Sequence, residues 1–188
     1  MAKLIIGIGN PDEQYKDTRH NVGFMFLGYL AKKVGANDFE FNKKLNSLVS
    51  KVKLEKSPVI LVKPQTYVNK TGEAATKLKN FYKVKPEDII VIQDDLDIPF
   101  GNNKLSFDKN SGGHKGIESI IKAIKTKKFY RLRIGLATKT LQKGRQQSDK
   151  KRDEFVRNYV LSRFSKSESD KLKEIFKEAH DKLLGIVR

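Results

Sequence analysis

The stretch that decides the fold is Lys3-Leu4-Ile5-Ile6-Gly7-Ile8, closed by Gly9-Asn10-Pro11. A short apolar run that stops at glycine and proline reads as a fully buried strand running into a tight turn. Downstream, Asn21–Lys33 places Val22, Met25, Phe26, Tyr29 and Leu30 at helical spacing. The alternation continues along the chain. Ser47–Leu54 and Val59–Lys63 read as a hairpin around Lys56-Ser57-Pro58, and Thr71–Tyr82 as a helix. Asp88–Gln93 is a second buried strand, and Lys104–Phe107 a short edge strand. Gly116–Lys125 is a helix, Arg131–Leu136 a strand and Glu154–Leu161 a short helix. A capping box, Ser165-Lys-Ser-Glu168, opens the last helix, whose predicted stripe is Leu172, Ile175, Phe176, Ala179 and Leu183. Strands alternating with helices predict an α/β fold, a single-domain three-layer sandwich over residues 1–188. Its sheet would be twisted, mixed and largely parallel, with helices on both sides.

At 188 residues with 38% apolar content the chain can build a real core, and with no cysteine it needs none of the chemistry of thiols. No run approaches the roughly 18 apolar residues of a membrane span, so the simplest expectation is a soluble cytoplasmic protein. Charge is the strongest compositional signal: 39 Lys and Arg against 22 Asp and Glu give +17. Twelve basic residues and one acidic residue, Asp149, fall between Lys122 and Arg152. A Lys-rich proteome explains scattered lysines better than this block, which points to a polyanionic partner such as nucleic acid.

In α/β sheets ligands sit beyond the carboxyl ends of strands. Polar residues gather there: Asn10, Tyr15 and His20 after the first strand, Gln65-Thr-Tyr67-Val-Asn69 after the hairpin, and Gln93-Asp94-Asp95-Leu-Asp97 after the second buried strand. A glycine-rich turn, Ser111-Gly-Gly-His114-Lys115-Gly116, opens a helix. The dinucleotide reading of Gly7-Ile-Gly9 fails, because the third glycine position is Asp12. Asn10 offers an amide that can donate and accept. His20, at a helix start, feels the positive end of the helix dipole, which favours neutral imidazole; a nearby carboxylate would pull the other way and fix the tautomer. It reads as a general base or as a structural histidine. His180, among charges on the last helix, reads as a solvated surface residue. Asp94, Asp95 and Asp97 could suit a hard cation, yet alternation puts Asp94 and Asp95 on opposite faces, so Asp94 as a histidine partner or a turn carboxylate competes, and no metal site is expected. No serine sits in a nucleophile elbow. Water activated by histidine is the hydrolytic chemistry left.

Five motifs then carry a resemblance. Gly7-Ile-Gly9-Asn10-Pro11 with Tyr15 and Thr18-Arg19-His20-Asn21-Val-Gly23 resembles the opening signature of the bacterial-type peptidyl-tRNA hydrolase family. Lys63-Pro-Gln-Thr-Tyr67-Val-Asn69-Lys-Thr-Gly72, Asp94-Asp-Leu-Asp97-Ile-Pro-Phe-Gly101, Gly112-Gly-His114-Lys115-Gly116 and Phe129-Tyr-Arg131-Leu-Arg133-Ile-Gly135 resemble its other four, in order and at family spacing.

The resemblance implies cleavage of the ester joining a peptide to the 3′ ribose of tRNA, without a cofactor. It implies His20 as the base acting on water, Asp94 as its orienting partner, and Asn10 and Asn69 as amides holding the peptide and the water or carbonyl. It further implies contacts to the tRNA acceptor arm and 3′ end by Tyr15, Tyr67, His114, Lys115 and Arg133, the last with Arg131 or nearby lysines. A monomer with no obligate protein partner is expected. Three positions depart from the family pattern: Lys115 stands where asparagine is usual, Asp12 where glycine is usual, and Ser106 where a basic residue is common, which would shift the phosphate clamp toward Lys104 or Lys109. Two other classes stay in view, a non-catalytic RNA-binding relative and a metal-dependent peptidase or nucleoside phosphorylase on a similar sandwich. By composition, Leu141–Lys151 reads as a mobile, lid-like segment.

Overall fold

A computed structural model describes residues 2–36 and 38–188. Seven strands form one mixed sheet: β1 (Lys3–Gly7), β2 (Glu40–Asn42), β3 (Ser47–Leu54), β4 (Ser57–Pro64), β5 (Ile89–Pro99), β6 (Asn103–Phe107) and β7 (Tyr130–Ala137). Their spatial order is β2-β3-β4-β1-β5-β7-β6. The middle is parallel, with β1 between β4 and β5 and β7 beyond β5. The hairpin strand β3 and the outer strands β2 and β6 are antiparallel. Parallel strands need cover on both faces. Here α1 (Val22–Lys33) and α6 (Lys166–Val187) pack on one face, over Ile5, Leu61, Ile90, Ile92 and Leu132. The other face, with Leu4, Ile6, Val62 and Val91, is covered by α2 (Thr71–Tyr82) and α3 (Lys115–Ile124). A third, small cluster of Leu136, Leu141 and Tyr159 holds α4 (Lys139–Gly144) and α5 (Asp149–Leu161). The three-layer α/β expectation holds. No helix among the described residues is long and apolar enough to cross a membrane.

Two glycines set how closely α1 approaches the sheet. A Cβ on Gly23 would lie 2.5 Å from the Ile92 carbonyl oxygen and 2.7 Å from the Ile8 nitrogen, and one on Gly7 would lie 2.8 Å from the Gly23 carbonyl oxygen. The bare backbones therefore let the start of α1 rest on the ends of β1 and β5.

Several elements differ from the sequence reading. β5 runs on to Pro99, past the expected end at Gln93, because backbone pairing with β7 continues after the side chains turn polar, with a shift of register between Asp95 and Pro99. β2 and α4 are short and weakly patterned, and the sequence reading leaves them out. His180 is a correction: it is 8% exposed rather than solvated. It follows Phe176 by four positions and precedes Leu183 by three, so it flanks the buried stripe while its charged neighbours turn outward. Leu141–Lys151, read as lid-like from composition, takes part in two helices. Thr138 caps α4 by accepting from the Leu141 nitrogen at 3.3 Å, Leu141 is fully buried, and α5 begins at Asp149. Its polar residues are exposed on α4, on the connecting residues 145–148 and on the first turn of α5.

Candidate active site

The site forms where β1, β5 and the turn after β4 end together. Asn10 follows β1, and its backbone is held at both ends by one side chain: its N–H donates to Asn21 Oδ1, and its carbonyl accepts from Asn21 Nδ2, each at 2.9 Å. Asn10 Oδ1 accepts from the Val68 N–H at 3.1 Å, which fixes the amide and ties this turn to the one carrying Tyr67 and Asn69. A backbone donor needs an oxygen opposite it, so the amide nitrogen of Asn10 is left as a donor without a partner among the described residues.

His20 lies in a single 3-10 turn, Arg19–Asn21, immediately before α1. Its Nδ1 is 2.8 Å from Asp94 Oδ2. The other Asp94 oxygen is 2.9 Å from His114 Nε2. Asp94 is 2% exposed, and the two imidazole rings stand 5.4 Å apart. His114 is the N-cap of α3, and its Nδ1 accepts from the N–H groups of Gly116 and Ile117 at 3.1 and 3.4 Å. That cap decides the protons. An accepting Nδ1 carries no hydrogen, so His114 Nε2–H donates to Asp94. Asp94 then accepts from both rings, and Nδ1–H of His20 is the second donor. His20 Nε2 is left unprotonated, with no partner among the described residues.

Electrostatics agree with this arrangement. Burial alone would raise the Asp94 carboxyl, but attraction to His20 and His114 and the hydrogen bonds they make outweigh it and hold the group well below the usual carboxylate range. Burial would lower His20, yet the charge of Asp94 and its hydrogen bond prevail and raise the imidazole above its ordinary 6.5. The helix-dipole effect expected from sequence is therefore overridden by the carboxylate. Ligand atoms of His20, Asp94 and His114 lie within 4.8 Å of one another, which on distance alone suits a cation. Both ring contacts are hydrogen bonds in length, and a metal on His114 Nε2 would make that ring an imidazolate while its Nδ1 serves the helix cap.

The remaining residues fall on the rim. Tyr67 is half exposed, and its hydroxyl donates to Asp12 at 2.8 Å. Asp12, one of the departures from the family pattern, thus anchors the rim tyrosine. Tyr15 is partly buried beside them, and Asn69 is exposed in the turn after Tyr67. Lys115 is 75% exposed, pairing loosely with Glu118 at 3.3 Å. His114, expected at the substrate, has both ring nitrogens engaged within the protein. Arg133 pairs with Asp95 at 2.8 Å and also donates to Ser106 at 3.2 Å, on the opposite face of β5 from Asp94. Arg131 is 3% exposed and donates to the Asn110 carbonyl, so it is no phosphate ligand in this arrangement. Lys104, which faces Arg133 across the β6–β7 pair, and Lys109 are both exposed.

Sequence reasoning passed over Asn21. An asparagine directly before a helix reads as an N-cap, but this side chain makes no cap hydrogen bond and is spent on Asn10 instead.

The peptidyl-tRNA hydrolase family model matches residues 4–188. The chain belongs to the peptidyl-tRNA hydrolase family. A peptidyl-tRNA hydrolase of Sulfurihydrogenibium sp. (strain YO3AOP1) is 42% identical over 188 residues, covering 100% of this chain and 92% of the relative. One from Aquifex aeolicus (strain VF5) is 45% identical over 177 residues, covering 94% of this chain and 85% of its own length. The crystal structure of the Acinetobacter baumannii peptidyl-tRNA hydrolase superposes with a TM-score of 0.85 at 31% identity, covering 99% of this chain and 88% of that one. A crystal structure of a peptidyl-tRNA hydrolase in complex with N-propanol gives a TM-score of 0.86 at 32% identity, with the same coverage. The peptidyl-tRNA hydrolase fold therefore spans the chain, with the histidine–aspartate–histidine chain at its strand ends.

Proposed function

We propose that this enzyme hydrolyses the ester between a peptide and the 3′ ribose of tRNA by general-base catalysis at His20. The observation that carries the reading is the free Nε2 of His20, opposite an Nδ1–H held by Asp94. In the reaction, Nε2 removes a proton from water as its oxygen adds to the ester carbonyl. The carbon–oxygen bond to ribose then breaks, and the imidazolium returns the proton to the ribose oxygen. Asp94 fixes the tautomer and stabilises the imidazolium; His114 fixes Asp94. Such a base typically contributes about 10²–10⁴-fold.

Asn10, presenting a donor, takes the role of holding a peptide carbonyl, with Asn69 beside it. A blocked peptide supplies that acceptor, whereas a free aminoacyl ester supplies an ammonium, which leaves the amide unpaired. Tyr15 and Tyr67 offer ring faces to the 3′-terminal bases. The exposed lysines, Lys115 among them, and Arg133 serve phosphates, contacts that suit an enzyme accepting many tRNAs because they carry little base information. We further read residues 1–188 as one domain acting as a monomer in the cytoplasm, recycling tRNA after peptidyl-tRNA leaves the ribosome.

The test is release of N-acetyl-amino acid from N-acetyl-aminoacyl-tRNA by the wild type, His20→Ala and Asn10→Ala, with and without EDTA. The expected result is EDTA-resistant cleavage that collapses in His20→Ala, and a raised KM in Asn10→Ala. Full activity in His20→Ala would overturn the mechanism. Tight tRNA binding without cleavage by the wild type would favour an RNA-binding relative.

A further inference from the structure

Arg19 stands one residue before the base and does not face the substrate. One terminal nitrogen bridges both oxygens of Glu168, at 2.9 and 2.7 Å. The other donates to Ser162 Oγ at 2.9 Å and to the Arg163 carbonyl. Its guanidinium also lies over the rings of Tyr159, 4.7 Å from the centroid, and Phe164, 5.3 Å away. The Arg19 N–H donates to the Ser162 carbonyl at 3.0 Å, and Thr18 forms a bridge with Arg163. Arg19 and Glu168 side chains are only 11% and 17% exposed. Glu168 has a second task, since its Oε2 also accepts from the Ser165 N–H at 2.7 Å in the capping box of α6.

The arrangement is more than a surface ion pair. A single 3-10 turn has few hydrogen bonds of its own and poor geometry in those it has. The three residues of this turn are each tied to a different part of the molecule: Asn21 to Asn10, His20 to Asp94, and Arg19 to the junction of α5 and α6. The ring of His20 hangs between the two outer ties. Four acceptor atoms and two ring faces converge on one planar fork, a match that the point charge of lysine does not reproduce.

We infer that Arg19, held by Glu168, is a positioning residue that sets the register of the His20 imidazole against Asp94. The inference rests on the hydrolase reading for its kinetic arm, and on geometry alone for its spectroscopic arm. Arg19→Lys keeps the charge beside His20 and removes the fork, so what changes is placement. The variant is compared with the wild type by thermal unfolding, by kcat and KM on N-acetyl-aminoacyl-tRNA, and by long-range proton–nitrogen NMR of the His20 ring. The expected result is a kcat lower by about tenfold or more with KM nearly unchanged, since small misplacements of a reacting group are costly. The His20 signals should move from the pure Nδ1–H tautomer toward a mixture, while those of His180 stay put. In a His20→Ala background, Arg19→Lys should cost nothing further. Glu168→Gln keeps the side-chain shape and should show the same pattern more weakly, which decides the matter if Arg19→Lys does not fold. A folded Arg19→Lys with kcat within about twofold of wild type and an unchanged His20 tautomer would overturn the inference, a twofold effect being well under 1 kcal/mol. Failure of the wild type to cleave peptidyl-tRNA would instead overturn the hydrolase reading, and the NMR comparison would still decide the role of Arg19.

Discussion

Replacing Asp94 by asparagine is the sharpest perturbation of this site, because the cap on His114 dictates how the new amide must lie. His114 Nδ1 accepts from two helix N–H groups, so Nε2 keeps its hydrogen and requires an acceptor. The amide oxygen at position 94 therefore turns to His114, and the NH₂ turns to His20. His20 Nδ1 must then accept, which moves the proton to Nε2, the atom needed as base. Reversing the amide would give His20 its acceptor back but set the NH₂ against the His114 Nε2–H, and these two buried unpaired donors cost about 1–3 kcal/mol each. A total of about 2–6 kcal/mol corresponds to a fall in kcat of about thirtyfold to 10⁴-fold. Asp94→Ala leaves His20 free to sample both tautomers, so the smaller chemical change, Asp94→Asn, should be the more damaging. Adding His114→Gln to Asp94→Asn should recover part of the loss, since a glutamine oxygen can accept and frees the amide to turn. Saturating single-turnover cleavage of N-acetyl-aminoacyl-tRNA measures kcat for all four proteins. An Asp94→Asn enzyme faster than Asp94→Ala, with no recovery in the double variant, would refute the proton assignment.

Other outcomes follow from the same geometry. His20 is raised above 6.5 by Asp94, and activity needs the neutral ring, so kcat should climb as pH rises through a value above 6.5 and level off; in Asp94→Ala the acid limb should move to lower pH, as a pH–rate profile would reveal. Arg131→Ala should lower the melting temperature without changing the salt slope of tRNA binding, because the side chain is buried. Lys115→Ala should leave the melt unchanged and reduce the magnitude of that slope by about 0.7–0.9, one phosphate contact's worth. Tyr67→Phe loses only the hydroxyl bond to Asp12 and should change KM by under about threefold, whereas Tyr67→Ala, losing a stacking ring worth about 1–3 kcal/mol, should raise KM at least about fivefold.

What was legible in the chain was whatever repeats or punctuates. Lys3–Ile8, the Thr71–Tyr82 helix and the Ser165–Glu168 capping box announce themselves through period and end signals, and the layered α/β class follows from the alternation of strands and helices. His20 and Asp94 were legible as candidates because so few other groups could do hydrolytic chemistry. What stayed hidden depends on partners distant in sequence. Nothing local to Asn21 says that it serves Asn10 rather than α1, and nothing in Arg19 points to Glu168, 149 residues on. Arg131 and the partly exposed Arg133 share one side of β7, and the burial of Arg131 comes from the Asn110 loop, whose carbonyl it meets. His180 misled because its immediate neighbours are charged, while burial follows the helix surface.

The bare backbone at Gly7 and Gly23 fixes more than a packing distance. Whatever sits at position 23 acts as a shim between α1 and the tips of β1 and β5, and the turn bearing His20 is the first thing attached to that helix. A single methyl group there would lift the helix, and the imidazole with it, away from a carboxylate that is itself fixed in β5. The spacing between His20 and Asp94 is thus gauged by the absence of an atom. Laboratory evolution aimed at new substrates has wide room along the rim at Asp12, Tyr67 and Lys115, and almost none at these two smallest residues.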